Sequence, residues 1–409
     1  MNEDLQSIYK FFLRKYQSAG INLRPEELRM LINKEKDKAL LNFNKLSKPK
    51  TCTKKFYIKN WVREEVERDF NTKTLRSINL DKPGNVPYAK ALAEYFNLFP
   101  LEKLQQFNKK VYDAKPEKRL KVWKGLNIPV KKVDASIKKV IITRNQEAIN
   151  KGLSSHLEFA LNAFKIPNSK FKKVIENIED IIDYCNKQLP KLYVLHSWFF
   201  TEFSSNCYKC ELKTFPFNDY SDVIDFVERE YPILKKFTKK IVYKQGKKVY
   251  MNYKKEEDIF EIYNLESENF RHRTLFLLHE LSHVVSHLEC FKKGFHPSEK
   301  GKYFSENDVI SIILSLLRKV SEELYQAYFG DILGILYGML FELELYENPD
   351  QDLGKLRAKV FNQCFQGAKQ RINRSYLMDE SIIMSPLSYL LYAIASAHYV
   401  LENSKILKN

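Results

Sequence analysis

The chain has 409 residues, enough for two or three domains or one large helical body, which excludes a small disulfide-stapled scaffold. Its 12 Gly and 14 Pro are about half the usual share, so turn punctuation is sparse and a mainly α fold is expected. The 68 Lys and Arg against 51 Asp and Glu leave a net charge of +17, which suits nucleic acid, anionic lipid or acidic peptides and selects none of them.

The opening MNEDLQSIYKFFLRKYQSAG interrupts its apolar run with Lys10, Arg14 and Lys15, so no secretory core is expected there. No segment holds eighteen unbroken apolar residues, so no membrane span is expected either. Six scattered cysteines suit a reducing compartment, and the expected location is the cytoplasm. Residues 1–140 are expected to form an N-terminal helical region, with EELRMLINKEKDKALLNF and YAKALAEYFNLFPLEKLQQFNKKVY as helices and DKPGNVP as a turn. The lysine-rich stretch Lys124–Lys139, with Gly125 and Pro129, is the expected joint, and residues 141–409 form the second, catalytic region.

Helical periodicity resumes over residues 141–190. Lys239–Tyr253 alternates apolar and polar residues on both sides of Gln245-Gly246, which predicts a β-hairpin. Helices are then expected over Thr274–Lys292, Ser305–Phe329, Asp331–Glu347 and Leu387–Leu401.

The first of these helices carries His279-Glu280-Leu281-Ser282-His283, the H-E-x-x-H pattern of zinc peptidases. A chance match anywhere in such a chain is expected about 0.02 times. On a helix both histidines project from one face and reach one ion, while Glu280 is placed to take a proton from a water activated there. His287 lies about 12 Å along the axis from His279, too far to bind the same ion. The metzincin pattern fails as well, because position 289 is Glu.

A third ligand must come from elsewhere. If Gly294 and Pro297 turn the chain, a returning antiparallel helix passes the histidines near Glu306 and Asp308. Glu299 lies too close to the turn, and Glu322 and Glu323 lie beyond the site unless the hairpin is long. Glu306 is the preferred ligand, in a centre holding one Zn2+ per chain.

The sequence resembles the thimet oligopeptidase and oligoendopeptidase F family of zinc metallopeptidases, of the gluzincin type. Four segments between about Ile141 and Leu401 carry the resemblance: Arg144-Asn145-Gln146-Glu147-Ala148 with Gly152 and HLEFAL, FRHRTLFLLHELSHVVSH, Met339–Glu344, and SPLSYLLYAIASA. It implies a mainly helical bowl with a deep channel, one zinc, and cleavage of internal bonds in short peptides. It also implies a glutamate ligand at the level of Asn307, between Glu306 and Asp308, and tyrosines of the last segment as donors to the tetrahedral oxyanion. Tyr392 is the candidate there, with Tyr389 beside it. Two positions depart from the family pattern. Ser282 replaces a glycine, and Ile382-Ile383-Met384 stands where the family has a histidine, with Tyr376 and His398 as substitutes to be tested.

Cys207-Tyr208-Lys209-Cys210 reads as ordinary reduced cysteines, with a structural metal site including Cys185 and His196, a disulfide or a redox pair as the alternatives. The lysine runs KKFTKKIVYKQGKK and KKVDASIKK read as solvated faces, so peptides rather than nucleic acid or membrane are the expected partners. Two rival functions remain: a protease specific for one protein, of the toxin or effector kind, and a catalytically silent helical binding protein that keeps its zinc.

Overall fold

A computed structural model describes residues 24–45, 87–100, 128–150, 152–189, 215–244, 250–254, 258–263, 270–294, 302–366, 370–379 and 381–404, with a few isolated positions before residue 122. The fold is mainly helical, with one small sheet. Cys207, Cys210, His196 and Glu299 lie outside the described residues.

Helices α1 (Pro25–Lys45) and α2 (Pro87–Leu98) precede α3 (Val130–Asn150), which packs along α2. The joint expected over Lys124–Lys139 is therefore helix from Val130 onward, and the expected boundary between residues 140 and 141 falls inside it. The reason is a buried stripe, Val133, Ile137, Val140, Ile141, Arg144 and Ala148, at helical spacing beneath the lysines. Three short helices follow: α4 (His156–Phe164), α5 (Asn168–Glu176) and α6 (Ile178–Gln188). At the start of α4, Ser155 accepts a hydrogen bond from the Glu158 amide, and the Glu158 carboxylate accepts from Ser154 N–H at 2.7 Å, closing both ends of the first turn.

After α7 (Tyr220–Glu230) and α8 (Pro232–Lys235) come strands β1 (Ile241–Lys244), β2 (Tyr250–Lys254) and β3 (Ile259–Tyr263). Their order is β1-β3-β2, with β1 parallel and β2 antiparallel to β3. The hairpin predicted between β1 and β2 is thus absent, because β3 lies between them. β3 is the strand with both a buried apolar face, Phe260 and Ile262, and a charge needing partners on the other face. That charge is Glu261, which takes Lys244, Lys254 at 3.2 Å and the Tyr263 hydroxyl at 2.6 Å, so the lysines of both outer strands converge on the central one.

The core is built by α9 (Phe270–Lys292), α10 (Lys302–Val320), α11 (Glu322–Glu347), α12 (Leu353–Cys364), the short α13 (Ser381–Met384) and α14 (Ser388–Asn403). α10, α11 and α14 pack against one another, and α9 packs on α10. The break expected near Gly330 falls instead at Ser321. The Ser321 hydroxyl accepts from the Leu324 amide and Glu322 and Glu323 fill the first turn, so α11 starts there and runs through a buried Gly330.

A buried polar layer ties α3 and α12 to the chain between α12 and α14. The Arg144 guanidinium donates to the Tyr346 hydroxyl at 3.0 Å, to the Ile382 carbonyl at 2.7 Å and to the Ile383 carbonyl. Arg357 lies 3.9 Å from the Tyr337 ring centroid and pairs with Asp379 at 3.4 Å. Cys185, Cys290 and Cys364 are buried and reduced. Among the described residues no helix is long and apolar enough to cross a membrane.

Candidate metal centre

Helix α9 buries Leu277, Leu278, Leu281, Val284 and Val285, which fixes its rotation and turns His279 and His283 to one partly accessible side. Their Nε2 atoms are 3.2 Å apart. Glu306 of α10 brings Oε1 to 3.8 Å from His283 Nε2, and one ligand atom from each of the three lies within 4.8 Å of the others. Two tetrahedral ligands at about 2.1 Å from one ion stand about 3.4 Å apart, so the observed separations bracket what one ion needs.

The electrostatics fit the same occupant. Burial pushes His279 down to about 4 and His283 well below the ordinary histidine range, so both imidazoles are in the neutral, ligating form. Glu306 is pushed up to about 8 by burial and then by the Glu280 carboxylate. Glu280 is pushed up to about 7 by burial, against the pull of the Met251 backbone N–H that donates to it from β2. Among the described residues, Oε2 of Glu280 and Oε2 of Glu306 are buried without a hydrogen-bond partner. Such atoms carry an unpaid desolvation cost that a cation removes by holding the Glu306 carboxylate charged.

The other sequence candidates are placed apart from this group. Asp308 is on α10 but not in the cluster, Glu322 sits in the first turn of α11 against Gln326, and Glu323 follows it. His287 directs Nδ1 to the His283 carbonyl at 2.9 Å and packs its ring beside Tyr253 and Phe260. Ser282 is buried, with its hydroxyl folded back on the Leu278 carbonyl at 2.7 Å, away from the histidines.

Tyr392 of α14 lies within electrostatic reach of Glu306 and Glu280. Burial first, and then those two carboxylates, keep its phenol protonated as a donor. Tyr389 is committed to Asp379, its hydroxyl 3.1 Å from Oδ2. The substitutes considered for the missing histidine are held elsewhere: Tyr376 donates to Asp134 at 2.7 Å, and His398 sits between Lys170 and Glu402. Sequence reasoning missed Met251, whose contribution is a backbone N–H and leaves no side-chain signal. It also missed Tyr328 of α11, whose phenol feels Asp331 and Glu306.

No protein-family profile matches the chain, and no curated protein matches it. Among solved structures, the crystal structure of a candidate oligoendopeptidase F from Bacillus anthracis str. Ames is similar over 98% of this chain and 87% of that one, with a TM-score of 0.46 and 14% identity.

Proposed function

We propose that the chain is a zinc-dependent peptidase that hydrolyses internal bonds of short peptides. The observation that carries this reading is the convergence of His279, His283 and Glu306 within 4.8 Å, with Glu280 next to the first histidine on the same helix. A structural metal site has no need for a carboxylate in that position.

His279, His283 and Glu306 would hold the ion, two neutral nitrogens and one carboxylate oxygen. When bound, zinc supplies Lewis-acid activation of water and of the scissile carbonyl. Glu280, oriented by the Met251 N–H, takes a proton from the attacking water as the new C–O bond forms. It returns that proton to the departing nitrogen as the C–N bond breaks, leaving one carboxylic acid and one amine product. The Tyr392 O–H donates to the oxygen that gains charge in between. His279, His283 and Tyr392 are only partly accessible, which favours a thin extended peptide over a folded chain.

The test is elemental analysis of protein purified without added metal, with turnover of quenched fluorescent peptides before and after chelation. The proposal expects about one zinc per chain and cleavage that chelator abolishes and zinc restores. Zinc without cleavage of any peptide would favour the binding-protein reading instead.

A further inference from the structure

Lys302 opens α10 one helical turn before Glu306, so the two side chains leave the helix on one face, about 6 Å apart along its axis. Opposite charges at that spacing commonly close into an ion pair. Here Glu306 turns instead to His283, at 3.8 Å, and the Lys302 Nζ stands 5.6 Å from the centre of the Phe164 ring at the end of α4. A ring face holds an ammonium in place without neutralising it.

Lysines elsewhere are matched to acids: Lys244 and Lys254 to Glu261, Lys319 to Glu230 at 2.5 Å, and Lys359 to Glu344 at 2.7 Å. Among the described residues, no carboxylate lies within ion-pair distance of Lys302. Its charge is nevertheless felt at the candidate metal centre. Burial and then the Glu280 carboxylate push the Glu306 carboxyl up to about 8, and Lys302 pulls against them. No other lysine or arginine among the described residues bears on Glu280, Glu306 or Tyr392 in this way. A cation in that position opposes the ion that the three ligands would hold, so its place asks for a reason outside metal binding.

The exposure along α10 supplies one. On the face shared with Lys302, Glu306, Val309, Ile310 and Ile313 are buried while Lys302 is exposed, so this side of the helix reaches solvent at Lys302. A peptide reaching the centre from that end of α10 passes the ammonium. An extended chain rises about 3.3 Å per residue, so the 6 Å between Lys302 and Glu306 corresponds to about two residues of peptide.

We propose that Lys302 is a specificity-determining residue, its ammonium taking a carboxylate of the bound peptide within about three residues of the cleaved bond. That carboxylate is an acidic side chain or the C-terminus of the peptide. This inference rests on the peptidase reading, and its test separates the two.

The test uses the full chain carrying Glu280→Gln and loaded with zinc, with alanine-based hexapeptides labelled at the N-terminus by an uncharged fluorophore. Glu is exchanged for Gln at each position in turn, and each peptide is made as the C-terminal acid and as the amide, which reads the two sources apart. Fluorescence anisotropy reads affinity. At low salt one carboxylate should tighten binding relative to its neutral counterpart, and Lys302→Met should cut that preference about 3- to 10-fold. Lys302→Glu should turn it into a preference against carboxylate. Thermal melts and zinc content report whether both variants keep the fold and the metal. With Glu280 restored, Lys302→Met should raise KM for the preferred peptide and leave kcat within about twofold. No carboxylate preference, a preference that survives Lys302→Met, or an equal loss over charged and neutral peptides would overturn the proposal. Charge-selective binding set by Lys302 in a chain that cleaves nothing with Glu280 intact would keep the role of Lys302 and remove the peptidase reading. Cleavage with no dependence on Lys302 would do the reverse.

Discussion

Gly338 of α11 lies so close beneath the ring of Tyr389 of α14 that a Cβ on the glycine would stand 2.6 Å from the ring's Cγ. Tyr389 cannot swing away freely, because its hydroxyl is held by Asp379. Gly338→Ala should therefore destabilise the chain by about 1–3 kcal/mol, although alanine is the better helix former. Gly334→Ala, one turn away with open space around it, should stabilise by about 0.5–1 kcal/mol. Urea midpoints of the two variants should move in opposite directions.

Arg144 is buried and serves two backbone carbonyls and the Tyr346 hydroxyl at once. Removing the guanidinium takes a buried donor from all three acceptors, so Arg144→Met should cost about 3 kcal/mol. Arg144→Lys should recover little of this, because an ammonium cannot present the planar fork that reaches adjacent carbonyls. Equilibrium unfolding of both variants checks the prediction.

Glu342 is buried beside the start of α14, and burial raises its carboxyl to about 8 even though the Leu387 amide donates to it. From the ordinary value of 4.5 up to about 8, the unfolded chain releases this proton while the folded chain keeps it. Stability from this group is present below pH 4.5 and is lost as pH rises toward 8. Glu342→Gln retains the acceptor for Leu387 and cannot titrate. The difference in urea midpoint between Glu342→Gln and the unsubstituted chain should therefore grow in favour of Gln as pH rises across that window.

Much of this architecture was legible in the sequence where one element carried its own signal. The apolar positions around His279 and His283 define α9, and the turn expected at Gly294 is formed there with φ +81°. Position along α10 follows from counting residues beyond that turn, which sets Glu306 and Asp308 at the level of the histidines. Elements whose boundaries depend on tertiary partners were harder. Gly330 looked like a helix end, whereas the capping of Ser321 and the burial of α11 carry the helix through it. The alternation around Gln245-Gly246 looked like a hairpin, but pairing of β1 and β2 was decided by Phe260, Glu261 and Ile262 on β3. The lysines of residues 131–139 masked the buried stripe that makes α3 continuous.

The ligand assignment makes a separate prediction. Glu306→Gln should weaken zinc binding by more than about 100-fold, beyond what loss of an outer partner costs, while Asp308→Asn should leave it within about threefold. Competition against a chromogenic chelator measures both. Equal losses in the two variants would move the third ligand along α10.

The most direct measurement is zinc content and peptide turnover of Glu280→Gln side by side with the unsubstituted chain. The account predicts about one zinc in each and cleavage in the unsubstituted chain alone, because Glu280 carries protons and does not hold the ion. Cleavage that survives in Glu280→Gln, or zinc lost with it, would contradict the assignment.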